Sequence, residues 1–525
     1  MRDASSPRSW PRAATAATLV VAALFFGRPH RAHAQQTPPA VDPEVEVVPV
    51  LIDATRIESW SFFTPRSGGG DPDYTLTGNR ATLGVAASTP HFEGYGAFQY
   101  AQLLNLPETA VNPGPLGPGA FYYDAARAPN AYQLYFKALS LRVRRLRGGV
   151  SFEVGRMGFN SGAEAAAASP DVASLARERV RGRLIGEVRW SAFERTFDGA
   201  RVDVSQPRWH ATAAVLFPSQ GGYEESANAT ISEVRVATAS ITIWNSSAAR
   251  PDVGPIARIG EDRRPLFEGD DATIAAPEPA FEAQAFAEQY RDRRTARTRP
   301  DNNGLPAEPV DVSIATFGGS LITVSGAGHG RADAVAWVAG QTGDWYGDRH
   351  RAWSATIEGG YRWSDLAWQP WARGGMSYAS GDDNQSDFRH GTFFPGLPSS
   401  RPDLLAGTFA QMNLRDVFAQ LRLQPRRRLG ARGEVHRLSL ATATDRWYSG
   451  TGATAVRGTF FGYTGRPATG VTTLGTYVQG TIDATLSKTW SVRGSLGVMK
   501  GGAVVRNWFG GDRLTVVALE NRLTF

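Results

Sequence analysis

The residues best suited to chemistry in this sequence are arginines on the polar side of segments that alternate polar and apolar residues. A planar guanidinium offers several donors and pairs readily with a carboxylate. Several such groups spaced along a wall attract an anion without trapping it. The same side chains also pair with acidic neighbours across strands as structural ladders, so each arginine has two interpretations. The candidates for a solute path are Arg142, Arg144, Arg156, Arg183, Arg189, Arg422, Arg432 and Arg522.

Two acidic residues belong to the same polar pattern. Asp203 lies between Val202 and Val204, and Glu434 lies next to Val435. Among arginines on an inner wall, these carboxylates would lower the positive field locally and keep anion binding weak. We therefore include both residues in the predicted solute path.

A further acidic group, Asp382, Asp383 and Asp387, lies in a long polar connection. Hard cations such as Ca²⁺ prefer several oxygen ligands. The spacing lacks the glycine and the terminal glutamate of an EF-hand loop, and outer loops are also acidic simply because they are solvated. The group stands as a calcium-site alternative, whereas the main expectation is a protein without metal or other cofactor.

Enzymatic chemistry has little support in the sequence. The chain contains no cysteine, which excludes thiol catalysis, iron–sulfur clusters, Cys-ligated zinc and disulfides. The motifs HExxH, GxSxG and GxxxxGK[ST] are absent. His436 shares a strand face with Glu434 and Arg432, but neither a catalytic serine nor a water-activating metal site accompanies it. We interpret it as a wall histidine and expect that the protein is not an enzyme.

Strands must position these side chains, because the sequence alternates with a period of two. Val417, Ala419, Leu421 and Leu423 are apolar, and mostly polar residues separate them. This is the period of a pleated strand whose two faces meet different solvents. Since a soluble sandwich alternates as well, the alternation alone does not establish a membrane barrel.

The connections between the predicted strands favour a transmembrane barrel. Turns near residues 365, 425 and 488 are brief, whereas segments 380–414, 442–471 and 500–512 are long and polar. Short periplasmic turns and long outer loops are typical of such barrels. We count about 17 candidate strands, and an even number is required when both chain ends lie in the periplasm. The prediction is therefore an all-β, antiparallel transmembrane barrel of about 18 strands, wide enough for an aqueous lumen.

The first 34 residues have the features of a secretory signal peptide. Three arginines precede an apolar run over residues 13–27, and Ala32, His33 and Ala34 form a small-x-small end. A run of this length is short for a membrane-spanning helix. We expect a signal peptide over 1–34, a periplasmic segment over 35–54, a barrel over 55–525, and a bacterial outer-membrane location.

One stretch departs from the strand rhythm. Residues 246–310 contain eight prolines, and Ala283, Phe286, Ala287 and Tyr290 have the spacing of one helix face. The long insert is expected to be a mobile outer loop, with a plug or lid of the lumen as the alternative.

Charge argues against a nucleic-acid partner. Beyond residue 34 the chain holds 51 basic and 49 acidic residues, which is close to neutral. Proteins that bind nucleic acid are usually markedly basic along one face. We therefore expect no nucleic-acid partner.

Several short stretches, in the same order along the chain, resemble the outer-membrane alginate-export family. They are GRLIGEVRW (182–190), FDGAR (197–201), VDVSIATFGGSL (310–321), AGQTGDW (339–345), YASGDDN (378–384), HGTFF (390–394), MNLRDVFAQLRLQP (412–425) and ATDRWYSGTGA (443–453). The resemblance extends from about residue 50 to the C-terminus. It implies an 18-stranded porin with a narrow, arginine-rich lumen that passes a polyuronate, although insert 246–310 is longer than expected for the family.

Three functional hypotheses follow from the resemblance and the arginines. The first is a channel that passes an alginate-like polyuronate, with the polysaccharide, outer-membrane lipid and a periplasmic export scaffold as partners. The second is a porin that takes up smaller anionic solutes. The third is a barrel that serves as a surface adhesion or enzyme platform. Because function resides in the lumen rather than in the barrel, the fold alone does not decide among them.

Overall fold

The computed structural model describes residues 45–112, 114–167, 169–223, 228–245, 254–262, 266, 279–295, 298–301, 306–399, 407–452 and 462–525. The expected signal peptide, and most of the expected periplasmic segment, lie outside these residues. The expected insert 246–310 falls partly outside them. All that follows concerns the described residues.

Eighteen strands form a closed antiparallel barrel, as the sequence predicted. In chain order they are β1 Glu46–Ser61, β2 Asp73–Ser88, β3 Phe92–Leu104, β4 Ala131–Leu146, β5 Val150–Met157, β6 Phe197–Gln206, β7 Trp209–Pro218, β8 Val234–Trp244, β9 Ala280–Asp292, β10 Val312–Ala327, β11 Gly330–Trp345, β12 Asp348–Trp363, β13 Trp371–Ala379, β15 Leu414–Arg426, β16 Leu429–Leu440, β19 Thr473–Thr485, β20 Trp490–Gly501 and β21 Arg513–Thr524. Three shorter strands lie in the connections: β14 Arg389–His390, β17 Arg446–Gly450 and β18 Tyr463–Pro467.

The barrel closes where its first and last strands pair. Ile52 of β1 lies opposite Thr524 of β21, and the ladder continues to Ser61 opposite Thr515. The backbone N–H of Phe525 also donates to the carbonyl of Leu51 at 2.8 Å. Every other strand of the barrel pairs with its neighbours in sequence order, so among the described barrel strands this seam alone joins the two ends of the barrel.

The two faces of each strand differ as the alternation predicted. On β15, Val417 and Leu421 are exposed on the outside, whereas Asp416 and Gln420 are buried on the inside. An apolar face beside charged residues suits a wall between lipid and a polar lumen. The period of two therefore reflects the two environments of the wall, lipid on the outside and a polar lumen on the inside.

Connection lengths alternate around the barrel. On one side lie brief turns such as 89–91, 207–208 and 427–428, and on the other lie long connections such as 158–196, 380–413 and 441–472. By the usual asymmetry the first side is periplasmic and the second is outer. Two connections break this pattern. The β8–β9 connection, 245–279, is long but begins and ends on the side of the short turns, and the β11–β12 connection, 346–347, is short but lies on the other side.

Where the structure describes the connections, they contain four short α-helices: α1 Pro118–Ala126, α2 Pro170–Leu175, α3 Pro255–Asp262 and α4 Ala503–Trp508. Among the described residues, no helix is long and apolar enough to cross a membrane.

The apolar core lies inside the lumen, where outer connections pack against one another and against the wall. Phe159, Val172 and Leu175 of the β5–β6 connection join Phe394 and Leu397 of the β13–β15 connection in one buried cluster. Since side chains of the wall cannot fill a barrel of this width, the connections fill much of it.

Two expectations about local structure were wrong. The residues with helical spacing, Ala283 to Tyr290, lie on strand β9, which pairs with β8 and β10 along its length. Small alanines on the outer face of β9 happened to match the helical period, and pairing with both neighbours overrode it. The first strand also begins at Glu46, inside the segment 35–54 that was expected to precede the barrel.

Candidate functional site

The β5–β6 connection, residues 158–196, folds into the lumen and carries a dense row of arginines. Ser169 caps α2 by accepting the N–H of Val172 at 3.3 Å, and Pro170 occupies the first turn, where its missing N–H costs nothing. One wide helical turn, Ala176–Val180, follows α2. Arginine occupies every second position from 177 to 183, so the segment concentrates positive charge in a short length of chain.

Buried ion pairs fix this inward segment to the barrel wall. The guanidinium of Arg179 binds the carboxylate of Glu358 through two contacts of 2.6 Å and lies 4.5 Å above the ring of Phe418. Arg183 donates to the hydroxyl of Thr356 at 2.9 Å. Two parallel contacts between arginine and carboxylate hold both groups in one orientation, so the position of the row is rigidly defined.

Arg195 ties the same segment to the outer connections. Its guanidinium is fully buried and donates to the carbonyls of Gly186 at 2.7 Å, Gly452 at 2.7 Å and Pro398 at 2.9 Å. Burial lowers the pKa of Arg195 to about 9. A cation that donates to backbone carbonyls from several connections holds those connections together.

Wall and inward segment together enclose a cavity of about 480 Å³ in the lumen. The cavity is predominantly basic, because eleven basic and six acidic side chains line it. The basic residues are Arg56, Arg80, Lys137, Arg177, Arg179, Arg181, Arg183, Arg189, Arg432, Arg493 and Arg522. The acidic residues are Glu58, Glu178, Glu194, Asp416, Glu434 and Glu520. Such an excess of fixed cations in a narrow site favours anions.

Many of these cations already have acidic partners. Arg80 Nη1 lies 2.7 Å from Glu194 Oε1, and Lys137 pairs with the same carboxylate. Arg432 Nε lies 3.6 Å from Glu434 Oε1. Such pairing keeps the side chains extended toward the cavity and limits how tightly any single cation holds a passing anion.

Five of the predicted path residues line the cavity: Arg183, Arg189, Arg432, Glu434 and Arg522. Arg183 and Arg189 belong to the inward segment, whereas Arg432, Glu434 and Arg522 belong to the wall. The structure thus brings together residues that the sequence separates widely. Their contact with a solute remains a prediction.

Arg142 and Asp203 lie elsewhere, in the part of the lumen near the short turns. Both are buried in the wall, with Arg142 Nη2 3.6 Å from Asp203 Oδ2. Asp203 also accepts from Arg201 and Thr212, at 2.8 and 2.7 Å. Neither residue lines the cavity, so the structure places both in a separate ionic cluster.

Three further candidates do not line the cavity, and for Arg156 the structure also corrects the expected inward direction. Arg144 donates to the carbonyl of Thr89 in the β2–β3 turn, at 2.6 Å from Nη2. Arg422 pairs with Glu178 of the inward segment. Arg156 shares the outer face of β5 with Val154 and lies opposite Leu139 of β4. The phase of β5 turns Arg156 away from the lumen, because Ser151 and Glu153 are the buried residues of that strand.

A second segment enters the lumen from the side of the short turns. The N–H of Ile256 donates to Glu93 at 2.7 Å, Arg258 pairs with Glu153 with one contact of 3.0 Å, and Ile259 is buried against Val50 and Ile52. Farther along, Leu266 donates to the hydroxyl of Ser491 at 3.2 Å and accepts from Arg493 at 3.0 Å. Leu266 also lines the cavity, so this segment bounds it.

His436 is a wall histidine, as the sequence suggested. Its Nδ1 lies 2.9 Å from Asp416 Oδ1, and its Nε2 lies 3.9 Å from Glu434 Oε2. Its ring stacks on Phe418, with 5.6 Å between centroids. These contacts orient the imidazole between two carboxylates on the cavity wall.

The acidic group of the β13–β15 connection is spread out rather than convergent. Asp382 is buried and Asp383 and Asp387 are exposed. Asp382 accepts the N–H of Asn384 at 3.2 Å, and Asp387 accepts the N–H of Arg389 at 3.0 Å. Across the part of the chain that the structure describes, no group of three or more acidic or histidine side chains is placed to hold a metal ion.

Several lining residues were missed at the sequence level. Arg177, Arg179 and Arg181 belong to the row in RERVRGR, whose spacing of two was a usable signal. Arg80 and Lys137 are single basic residues on strands, and nothing in the sequence distinguishes them from solvated side chains. Their place in the cavity depends on Glu194 of the inward segment, which is distant in sequence.

The family comparison agrees with this geometry. Residues 291–516 match the model of the alginate-export family. The expected resemblance is confirmed. The matched region runs from the end of β9 into β21 and includes the wall residue Arg432 as well as His436. Residues 158–196, with the arginine row, lie outside the matched region. No curated protein matches the chain.

Solved structures confirm the fold. OccK2 (OpdF) of Pseudomonas aeruginosa has a TM-score of 0.51 at 9% identity, over 91% of this chain and 98% of that one. The outer membrane protein opdK of Pseudomonas aeruginosa has a TM-score of 0.50 at 10% identity, over 90% and 99%. OccAB4 of Acinetobacter baumannii has a TM-score of 0.50 at 7% identity, over 91% and 98%. With the alginate-export match, these barrels support an outer-membrane channel.

Proposed function

We propose that the protein is an anion-selective outer-membrane channel that passes a polyuronate-like saccharide along the arginines of its lumen. The observation that carries the proposal is the basic cavity, to which both the wall and the inward segment contribute. A chain of carboxylated sugars meets several paired cations in turn, none of which binds it deeply. The alginate-export match over residues 291–516 supports the substrate class.

A smaller anionic solute is the second candidate, and a specific observation favours it. A volume of about 480 Å³, bounded by Leu266, suits a compact ligand better than an extended polymer. OccK2 (OpdF) of Pseudomonas aeruginosa, a barrel of the same fold, was solved in complex with glucuronate. A single uronate offers the same carboxylate chemistry as one unit of a polyuronate.

The proposal also includes the route of the protein itself. We infer that residues 1–34 are a cleaved signal peptide that directs the chain to the periplasm and the outer membrane. Export of a long polymer would require a periplasmic scaffold that delivers it to the barrel. N-terminal sequencing of protein from the outer-membrane fraction tests the first point, with Gln35 as the expected first residue.

Conductance of the refolded protein in planar bilayers tests the function. We expect anion selectivity, block by oligouronates and no block by neutral oligosaccharides of equal length. Block by glucuronate with no effect of longer oligouronates would favour the smaller solute. Equal passage of cations and anions would contradict both candidates.

A pair of variants links the selectivity to the cavity. Arg189→Gln combined with Arg432→Gln removes one cation from the inward segment and one from the wall, so anion selectivity should fall. Arg144→Gln is the matched control, because Arg144 lies at the β2–β3 turn outside the cavity. An unchanged reversal potential in the double variant would show that these arginines do not set the selectivity.

A further inference from the structure

The barrel wall has a notch in its outer half beside β4. β4 spans Ala131–Leu146, but β5 spans only Val150–Met157. The β4–β5 ladder therefore runs from Leu139 to Leu146, and residues 131–138 have no ladder partner on that side among the described strands. An open strand edge is costly where a barrel faces lipid, so the polar groups of this edge need other partners.

Side chains satisfy the edge at Phe136. Its N–H donates to Asn228 Oδ1 at 3.2 Å, and its carbonyl accepts from Arg156 Nη1 at 3.3 Å. Arg156 also forms two contacts with the carboxylate of Asp198, at 2.8 and 2.6 Å. The resulting rim is polar, and the Arg156–Asp198 pair leaves it without net charge.

Below this rim the outer face of the wall holds a groove of about 680 Å³. Its sides are apolar and belong to the lipid-facing surface, as the exposures of Leu139 (62%) and Val154 (46%) show. The lining residues are Phe136, Leu139, Val154, Gly155, Arg156, Asp198, Gly199, Ala200, Val215, Phe217 and Asn228.

Two glycines of the groove lining, Gly155 and Gly199, lie opposite each other on β5 and β6. Gly155 has a φ of +121°, and a Cβ there would lie 2.2 Å from the carbonyl oxygen of Leu139. A Cβ at Gly199 would lie 2.1 Å from the carbonyl oxygen of Val215. The close strand approach thus requires glycine at both positions.

We propose that this groove binds one acyl chain of a glycerophospholipid, with the ester region at Arg156 and Asn228. The groove is continuous with the lipid-facing wall, and its apolar sides end at a hydrogen-bonding rim, which is the pattern of an amphiphile. A neutral ion pair offers no excess positive charge for a lipid with several phosphates, so the site suits a phospholipid rather than lipid A. The inference is independent of what passes through the lumen.

Native mass spectrometry of the folded barrel in detergent tests the site, with dipalmitoylphosphatidylethanolamine as the probe. Ala200 lies opposite both Val154 and Val215, so Ala200→Trp should fill the groove and weaken retention of one lipid by about tenfold. Ala419→Trp, on the exposed outer face of β15, is the matched control and should retain the lipid like the wild type. Equal retention by all three proteins, or tighter retention of lipid A, would overturn the proposal.

A second measurement covers the case in which Ala200→Trp fails to fold. The chain has no cysteine, so Ala200→Cys and Ala419→Cys each carry a single reactive thiol. Added phospholipid should slow alkylation of the thiol in Ala200→Cys several-fold more than in Ala419→Cys. Equal slowing at both positions would also overturn the proposal.

Discussion

Two segments enter the lumen from opposite sides of the barrel, and they are held very differently. The β5–β6 segment, 158–196, is anchored by Arg179, Arg183 and Arg195, all buried and all bonded to other elements. The described residues of the β8–β9 segment, 254–262 and 266, are held by the Arg258–Glu153 pair, by hydrogen bonds to Glu93 and Ser491, and by the burial of Ile259. Among the described residues, the first segment thus has three buried cationic anchors, whereas the cationic anchor of the second, Arg258, is partly exposed.

This difference indicates that the β5–β6 segment is a fixed part of the barrel, whereas the β8–β9 segment limits passage through the lumen. Breaking a buried ion pair by removing one partner costs about 3–5 kcal/mol, and the cost falls as the partners become more exposed to water. Glu358 and Glu153 are both inaccessible at their side chains, but Arg179 is 8% exposed and Arg258 is 21% exposed. We expect the arginine row to stay in place during transport and the β8–β9 segment to limit the passage.

Replacing residues 254–266 with a glycine–serine linker of equal length should have the largest effect. Loss of the contacts to β3, β5 and β20 would clear the lumen near the short turns, so single-channel conductance should rise several-fold. Ion selectivity should stay anionic, because the cavity arginines remain. Unchanged conductance would mean that the segment does not limit the passage.

A substitution at Arg142 tests whether the β8–β9 segment covers the wall. Arg142 belongs to the wall and lies close to Gly254 of that segment. With the segment in place, Arg142→Ala should leave the reversal potential nearly unchanged. In the linker background the same substitution should lower anion selectivity, because Arg142 is then open to the lumen. An equal shift in both backgrounds would contradict the view that the segment covers this residue.

Two glutamate variants compare the anchors directly. Glu358→Gln removes the charge that faces Arg179 and Arg373, and we expect it to lower the free energy of unfolding by about 3 kcal/mol. Glu153→Gln should cost less, because its partner Arg258 is more exposed to water, but it should lengthen the open times of the channel. Urea unfolding and single-channel recordings provide the two measurements. An equal loss of unfolding free energy in both variants would show that the two segments are anchored equally strongly.

The smallest effect concerns pH and the outer connections. Burial, with Asp445 nearby, raises the pKa of Asp382 to about 6. Because an acid with a raised pKa binds its proton more tightly in the folded state, this stabilisation is present at low pH and is lost as pH rises from about 4 to 6. Hydrogen exchange in the β13–β15 connection should therefore quicken over that range. Asp382→Asn should remove this dependence, and a dependence that persists would point to another group.

The wall could be predicted from the sequence, whereas the lumen contents could not. A local period of two shows which faces Val417 and Asp416 occupy, so the inward positions of Arg432 and Glu434 follow from short stretches of chain. The same pattern gave about 17 strands, and the even number required of such a barrel raised the count to 18. Arg183 and Arg189 were nominated, but their place on an inward segment depends on pairs such as Arg179 with Glu358, 179 residues apart. Pairs between residues far apart in sequence produce no periodic pattern from which they could be predicted.

Arg156 was misplaced because the local pattern does not show where a strand ends or where its backbone is irregular. Its sequence neighbours predict a strand but not where that strand ends, and the irregular backbone at Gly155 adjoins the residue. The helix predicted around Tyr290 was wrong for a related reason. Pairing with β8 and β10, which the residue spacing does not reveal, makes this segment a strand.

The seam between β1 and β21 has a consequence for how the molecule assembles. Ile52 pairs with Thr524, so the last junction joins residues from opposite ends of a chain of 525. Loop closure over such a distance is slow, and until it occurs both end strands present open edges that invite pairing with other chains. We therefore expect closure of the seam to be the step at which folding competes with aggregation.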